Sequence, residues 1–315
     1  MDPKISVVMS VYNGDLYLRK AIDSILNQTF TNFEFIIIDD GSTDKSASII
    51  KSYDDPRIVL IQQQNKGLAL ALNTGIKAAK GKYIARMDAD DISHIERLQY
   101  QFKYMEKNKD CVALGTEAMV IDENGNYIYT IYNTMLKDEL RMQLPEKNPY
   151  IHGSMMIRNE ILKKCGGYKE DVPRYCDDDF LWIDLQKYGD LYNLNVPLYF
   201  YRIHTSAVSI IPTKLKRRLR EIRIKYFDSG VINQEDIFVA DKIRNANKMS
   251  DKDKRSYYHL RVGTAFLHHN NRHIARKHLI KSLRYSIISA QAWFNLILSF
   301  CPDGVILSWQ RFRKK

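Results

Sequence analysis

Along the N-terminal two thirds of the chain, short apolar runs alternate with polar turns and amphipathic stretches. Residues 5–11 form the first run, and Tyr12-Asn13-Gly14-Asp15 after it has the turn chemistry that caps a helix. Leu18, Ile22, Ile25 and Leu26 then recur at helical spacing. A second apolar run, 33–38, leads into Asp39-Asp40-Gly41-Ser42-Thr43-Asp44. A third, 57–62, leads into Asn65-Lys66-Gly67 and a stretch of helix formers over 68–79. The fourth run, Tyr83-Ile84-Ala85-Arg86-Met87, ends in Asp88-Ala89-Asp90-Asp91, with a helix expected from near Ile95. Strand and helix alternating in this way predict an α/β fold with a mainly parallel sheet and helices on both faces. Right-handed crossovers then bring every strand C-end to one edge, where open α/β sheets bind ligands.

The pattern changes after this repeat. Apolar segments 111–122 and 127–132 flank Asp122-Glu123-Asn124-Gly125-Asn126, whose Asn-Gly pair predicts a hairpin. His152-Gly153-Ser154 precedes Met155-Met156-Ile157, Gly166-Gly167-Tyr168 reads as a loop, and Asp177-Asp178-Asp179 opens a helix carrying Phe180, Leu181, Trp182 and Leu185. A strand over 198–204 ends at Arg202 and His204. From Lys214 the chain reads as helical and basic to its end, with packed faces at Ala265, Leu267, Ala275, Leu279 and Leu283 and no internal repeat.

Charge sharpens that boundary. The net charge of +11 divides into −4 over residues 1–212 and +15 over residues 213–315. Two regions are therefore expected: an α/β domain over 1–212 and a helical, basic region over 213–315. The basic region attracts anionic surfaces, either phospholipid headgroups or nucleic acid. Trp293, Trp309 and Phe312 within it favour a membrane surface, and a solvated basic face is the other reading. No segment reaches the length of a membrane span, and the N-terminus has no signal-peptide pattern. Cys111, Cys165, Cys176 and Cys301 are far apart, as expected of reduced thiols in a cytoplasmic protein.

The chemistry concentrates at strand ends. Three carboxylates within four positions, Asp88, Asp90 and Asp91, repel one another unless a cation sits between them. Hard oxygen donors suit Mg2+ or Mn2+ with substrate phosphates; the other reading is an acidic turn that caps the following helix. The acids at 177–179 likewise suit a helix N-terminus. The glycine fingerprint of dinucleotide binding and the Walker loop are both absent, which argues against nicotinamide or ATP-hydrolysing chemistry.

Taken in order, residues 7–13, Asp39 to Asp44, Asn65-Lys66-Gly67 and Asp88 to Asp91 resemble family-two glycosyltransferases of the GT-A, Rossmann-like fold. His152-Gly153-Ser154, Gly167-Tyr168, Asp177-Asp178 with Trp182, and residues 201–204 extend the resemblance to about residue 206. It implies inverting transfer of a sugar from a nucleotide-diphosphate donor, UDP-sugar favoured, to a hydroxyl of a glycan or lipid-linked acceptor in surface polysaccharide synthesis. Localisation at the inner face of the plasma membrane goes with that activity. Under the resemblance, Asp40 with Asp39 reads the base, and Ser10, Val11 and Tyr12 form its floor. Asn65 and Lys66 lie near base or phosphates. Asp88 and Ala89 contact the ribose, Asp90 holds Mn2+ or Mg2+ with Asp91 as a second ligand, and His204 reaches the metal or the diphosphate. Asp177 or Asp178 is the general base; the family's Glu-Asp pair is here Cys176-Asp177-Asp178-Asp179, and spacing to Trp182 supports either. His152 lines the acceptor pocket.

Three other functions compete. A nucleotidyltransferase would carry a Gly-rich basic loop after the first strand, which Tyr12-Asn13-Gly14 does not resemble. A nucleic-acid-binding protein fits the +15 region, but an acidic crevice repels phosphate and the region lacks interleaved aromatics, so no nucleic acid is expected. An inactive scaffold is at odds with the full set of acids.

Overall fold

The structure, a computed structural model, describes residues 2–133, 137–170, 172, 177–205, 213–246, 248–302 and 304–305. The chain divides into two units, Met1–Ala118 with Ile131–Tyr201 and Lys214–Lys242, and Met119–Thr130 with Arg202–Thr213 and Ile243–Lys315. This division by packing differs from the division by charge, because the first helix of the basic region belongs to the α/β unit.

The first unit begins β1 (Ile5–Val11), α1 (Asp15–Leu26), β2 (Phe33–Asp39), α2 (Ser46–Lys51), β3 (Ile58–Gln62), α3 (Leu68–Ala78) and β4 (Tyr83–Asp88). β1 pairs in parallel with β2 and β4, and β2 with β3. Strands covered on both faces need nearly continuous apolar sequence, which β1 and β2 supply, and their side chains are almost all buried. A Cβ at Gly75 would meet Val8 and Ile38 at 2.6 and 2.7 Å, so glycine there lets α3 lie close against the sheet. Register puts Ser10 beside Asp88 on one side, and Val11 beside Asp39, itself beside Gln62. The four strand ends thus share one edge, as the alternating pattern predicts.

Beyond β4 the sheet becomes mixed. β5 (Ile92–Ser93) and α4 (Arg97–Lys107) precede β6 (Cys111–Ile121) and β7 (Tyr127–Ile131). α5 (Lys137–Gln143), a 3-10 turn at His152–Ser154, β8 (Met156–Arg158), α6 (Asn159–Cys165), α7 (Asp177–Leu185) and β9 (Asp190–Arg202) follow. The strand order is β3-β2-β1-β4-β8-β6-β9-β5, with β8 antiparallel to both β4 and β6 and β5 antiparallel to β9. β9 begins well before the strand expected at 198, since Asn193, Asn195 and Pro197 mask it as loop-forming sequence. α8 (Thr213–Ser229) completes this unit with the first part of α9 (Gln234–Ala246).

In the second unit the turn after β6 is built on Asp122, which accepts hydrogen bonds from the Asn124 and Asn126 amides at 2.9 and 2.8 Å, with Gly125 at φ 93°. α10 (Asp251–His268), α11 (Arg272–Tyr285) and α12 (Ala290–Leu298) follow. Each starts on a side-chain cap, Ser250, Asn271 and Ser289 respectively. Val262, Phe266, Leu279 and Ala292 are buried among them. No helix of the described residues is long and apolar enough to cross a membrane. Trp309 and Phe312 lie outside the described residues, as does Cys176.

Candidate active site

Three loops close over the parallel edge, and backbone amides hold them together. The Asp40 amide donates to Val11 O at 2.9 Å, and the Gln63 amide to Asp39 O at 3.0 Å. The buried Asp40 carboxylate accepts from Gln63 Nε2 at 2.7 Å, the Lys66 amide at 3.0 Å and the Gly67 amide at 2.9 Å. Asp39, also buried, accepts from the Ser42 amide at 3.0 Å and Gln62 Nε2 at 3.1 Å. The Asp40 carboxylate therefore organises the loop that carries Asn65 and Lys66, whose side chains stand exposed, while Asp39 fastens its own loop to the end of β3. Asn13, at φ 51°, accepts from the Thr43 amide at 2.8 Å, tying the first loop to the second. Asp44 bridges the Asp15 and Ser46 amides at 3.0 and 2.9 Å. Burial opposes its charge, but hydrogen bonds from Ser46 and Asp15 outweigh it and hold the carboxyl below the usual range. Ser10 is half-buried, Val11 buried and Tyr12 exposed over this cradle.

The acid turn sits beside it. Asp88 is held from two sides: Arg86 Nη2 donates to its Oδ1 at 2.7 Å, and its own amide donates to Tyr199 Oη at 3.3 Å. Burial works against the charge of Arg86, yet Asp88, Tyr168, Tyr199 and Asp90 outweigh burial and its pKa rises. Tyr199 stays a neutral phenol, its pKa raised well above the ordinary value by burial and then by Asp91 and Asp88. Arg97 donates to Arg86 O at 3.0 Å and Gly153 O at 2.7 Å, fastening β4 to the 3-10 turn; burial lowers its pKa to about 10. Ala89 and Asp90 are half-buried, whereas Asp91 is buried and its charge acts on Tyr199 and Arg97.

Across from the acid turn, α7 presents Asp178, whose Oδ2 accepts from Asn148 Nδ2 at 2.8 Å. Burial, and then the neighbouring Asp179, raise its pKa, with His152 and Asn148 pulling the other way. Asp179 itself is buried against Arg223 of α8 at 2.7 Å. The same guanidinium donates to Pro145 O at 2.9 Å and Glu146 O at 2.7 Å, in the segment that carries Asn148. The charges of Asp178 and Asp88 both act on the His152 ring, whose Nε2 is 2.6 Å from Tyr168 Oη. Burial and then the Arg86 charge lower its pKa to about 4, so the ring is a neutral hydrogen-bonding group at physiological pH. Trp182 packs edge-on against it with ring centres 6.0 Å apart. The Asp177 side chain lies outside what the structure describes, and His204 is a buried side chain of the second unit.

The structure thus brings together Ser10, Val11, Tyr12, Asp39, Asp40, Asn65 and Lys66 on one side, and Asp88, His152 and Asp178 on the other. It adds Arg86, Arg97, Asn148, Tyr168, Asp179, Tyr199 and Arg223, which sequence reasoning assigned no role. Arg86 left a signal, a cation inside an apolar run, and Tyr168 and Asp179 lie in stretches that the motifs already marked. Among the described residues no three His, Cys, Asp or Glu side chains lie close enough to hold a metal by themselves. The acid turn offers Asp88 and the half-buried Asp90, hard-oxygen donors of the kind that hold Mg2+ or Mn2+ jointly with substrate phosphates, so the residues fit such a shared cation.

Residues 6–166 match the model of glycosyl transferase family 2. An uncharacterized glycosyltransferase of Methanocaldococcus jannaschii is 42% identical over 187 residues, covering 58% of this chain and 64% of that protein. Among solved structures, TarS of S. aureus in complex with UDP-GlcNAc superposes with a TM-score of 0.61 at 14% identity, covering 98% of this chain and 92% of that one. The mannosyltransferase PcManGT of Pyrobaculum calidifontis, in complex with GDP-Man and Mn2+, gives 0.54 at 18% identity, covering 98% and 83%. These likenesses are to the fold, which is GT-A. With its matched motifs spanning the parallel sheet, the acid turn and the 3-10 turn, the chain belongs to glycosyl transferase family 2.

Proposed function

We propose that this enzyme is an inverting glycosyltransferase that moves a sugar from a nucleotide-diphosphate donor, UDP-sugar favoured, to a hydroxyl of a glycan or lipid-linked acceptor in surface polysaccharide synthesis. The observation that carries this reading is that acid groups from two elements converge on the 3-10 turn: Asp88 of β4 meets it at Gly153, and α7, which carries Asp178, packs Trp182 against the His152 ring. Asp178 takes the acceptor proton as the acceptor oxygen bonds to the sugar's anomeric carbon, and the anomeric carbon–phosphate oxygen bond breaks with its electron pair leaving on the diphosphate. A carboxylate with a raised pKa is a stronger base than an ordinary one, which suits that step. Asp177 has the same spacing argument in its favour and remains the other candidate base. A divalent cation held by Asp90, with Asp88 or Asp91, would supply Lewis-acid stabilisation of the leaving diphosphate. Ser10 to Tyr12 and the Asp39-Asp40 loop would hold base and ribose, and Lys66, exposed beside them, the phosphates. The neighbouring structures support a nucleotide-sugar donor by containing UDP-GlcNAc and GDP-Man with Mn2+. We place the enzyme in the cytoplasm, peripheral at the inner face of the plasma membrane.

Donor binding tests this directly. Calorimetry with UDP, GDP, CMP and dTDP, with and without Mn2+, should show one nucleotide bound more tightly with metal, and Asp90→Asn should remove the metal-dependent part. Because coupling is reciprocal, that nucleotide should tighten Mn2+ binding by the same factor. Failure of all four nucleotides to bind in the presence of Mn2+ would sink the reading. Family membership sets aside the nucleotidyltransferase reading.

A further inference from the structure

We propose that the outer face of the α11–α12 hairpin is a docking surface for the headgroup region of an anionic phospholipid bilayer. The proposal gives the peripheral localisation above a specific surface, and it does not depend on which donor the enzyme uses. α12 is apolar on two faces. Ala292 and Leu298 are buried, while Trp293, Phe294 and Ile297 stand 45%, 49% and 62% exposed. A helix apolar all round is normally enclosed, yet only one side of this one is packed. The turn before it adds Ile287 and Ile288, the latter 89% exposed, and Phe300 follows it at 65%. Six large apolar side chains crowded into fourteen positions, 287–300, exceed the scattered exposure normal for a surface.

The charged residues of the sequence flanking this patch are of one sign. From Lys254 to Pro302 there are eight Lys and Arg residues and no Asp or Glu. On α11, Lys277, Lys281 and Arg284 share an exposed stripe with Ile280, spaced three and four apart. Arg276 lies 3.9 Å from the Phe300 ring centre and donates to Ser299 O at 2.6 Å, so cation and apolar patch are in contact. The Trp293 Nε1 donates to Ile287 O at 2.8 Å, which satisfies its polar edge and leaves the ring body half exposed. Exposed apolar and aromatic groups on α12, with Lys and Arg exposed on the adjoining helix, match the acyl boundary and phosphates of an anionic leaflet. A second copy of the same face would set cations against cations. A polyanion without an apolar part, such as RNA, would pair with the cations but leave the six apolar side chains in water.

Sedimentation of the full-length protein with vesicles tests the proposal. One set is phosphatidylcholine alone; in the other, phosphatidylglycerol replaces a third of the lipid. Protein should pellet with the anionic vesicles, and the bound fraction should fall steeply as salt rises through the range that screens surface charge. Ile288→Asp, at a position with almost no contacts, and separately Lys281→Glu should each weaken partitioning by about tenfold or more, with the circular dichroism spectrum and nucleotide binding retained. No pelleting, equal pelleting with both vesicle types, or pelleting unchanged in both variants would overturn the proposal. So would a dimer in light scattering that Ile288→Asp dissociates, or an RNA affinity that Lys281→Glu removes while vesicle binding persists. Loss of nucleotide binding with intact vesicle binding would instead count against the transferase reading alone.

Discussion

At the scale of single residues, Asp178 and His152 have pKa values displaced in opposite directions, and the consequences can be separated. The Asp178 carboxyl holds its proton more tightly in the folded chain than its ordinary value of 3.8 implies. Its contribution to stability is therefore full below that value and is lost as pH rises through the folded pKa. Asp178→Asn should accordingly melt higher than wild type at neutral pH, with the difference shrinking toward pH 4, while the turnover rate falls by about a hundred- to ten-thousandfold at unchanged donor affinity. Equal loss of donor binding and turnover would instead make Asp178 a binding residue. His152, lowered from 6.5 to about 4, contributes stability that is present above 6.5 and is lost as pH falls through about 4. His152→Gln should flatten acid unfolding in that window, measured by fluorescence against pH. Gly153 is a steric case: a Cβ there would collide with Tyr199 Oη and Asp88 Oδ2. Gly153→Ala should cost about 1–3 kcal/mol in urea unfolding and disturb the acid turn.

At the scale of elements, α8 works as a clamp on α7 and the 145–148 segment. Arg223 joins Asp179 to the 145–146 carbonyl oxygens, and Tyr226 Oη donates to Asp184 at 2.8 Å with its ring edge-on to Phe180. Both partners of the Arg223–Asp179 pair are buried, so removing one leaves a charge without compensation. Arg223→Ala should lower unfolding free energy by about 3–5 kcal/mol, and Asp179→Asn should be milder because an amide can still accept from the guanidinium. The segment over 145–148 also carries Asn148, so Arg223→Lys should lower the turnover rate more than it raises the donor KM if Asp178 is the base. Much of this assembly was legible beforehand as parts. The apolar runs marked β1 to β4, and the Asx and glycine turns marked their ends. The clamp was not legible, because Asp179 reads as one more acid at a helix start and Arg223 as one more cation in a basic helix.

At the scale of the whole molecule, charge and packing divide the chain at different places. The balance changes sign after residue 212, but Leu215, Leu219, Ile222 and Tyr226 of α8 are buried. Burying such side chains is worth about 1.5–3 kcal/mol each, and together with the Arg223 pair this rivals the net stability of a domain. A fragment ending at residue 212 should therefore fail to show a cooperative melt by circular dichroism, although its charge profile makes it look complete. A sharp melt near that of the full chain would show that α8 is dispensable.

Local sequence sets the parallel half of the sheet, the edge that its strand ends share and the carboxylates at that edge. Strand periodicity and turn chemistry are local, and right-handed crossovers leave little freedom in how such units connect. The partners of each carboxylate come from the tertiary structure. Asp39 and Asp40 accept hydrogen bonds from loop donors, Asp179 is buried against Arg223, and Asp88 is braced by Arg86 and Tyr199, while Asp178 keeps a raised pKa. Each of those outcomes depends on a partner many positions away in the chain, and a side chain's protonation and exposure follow from its neighbours in space.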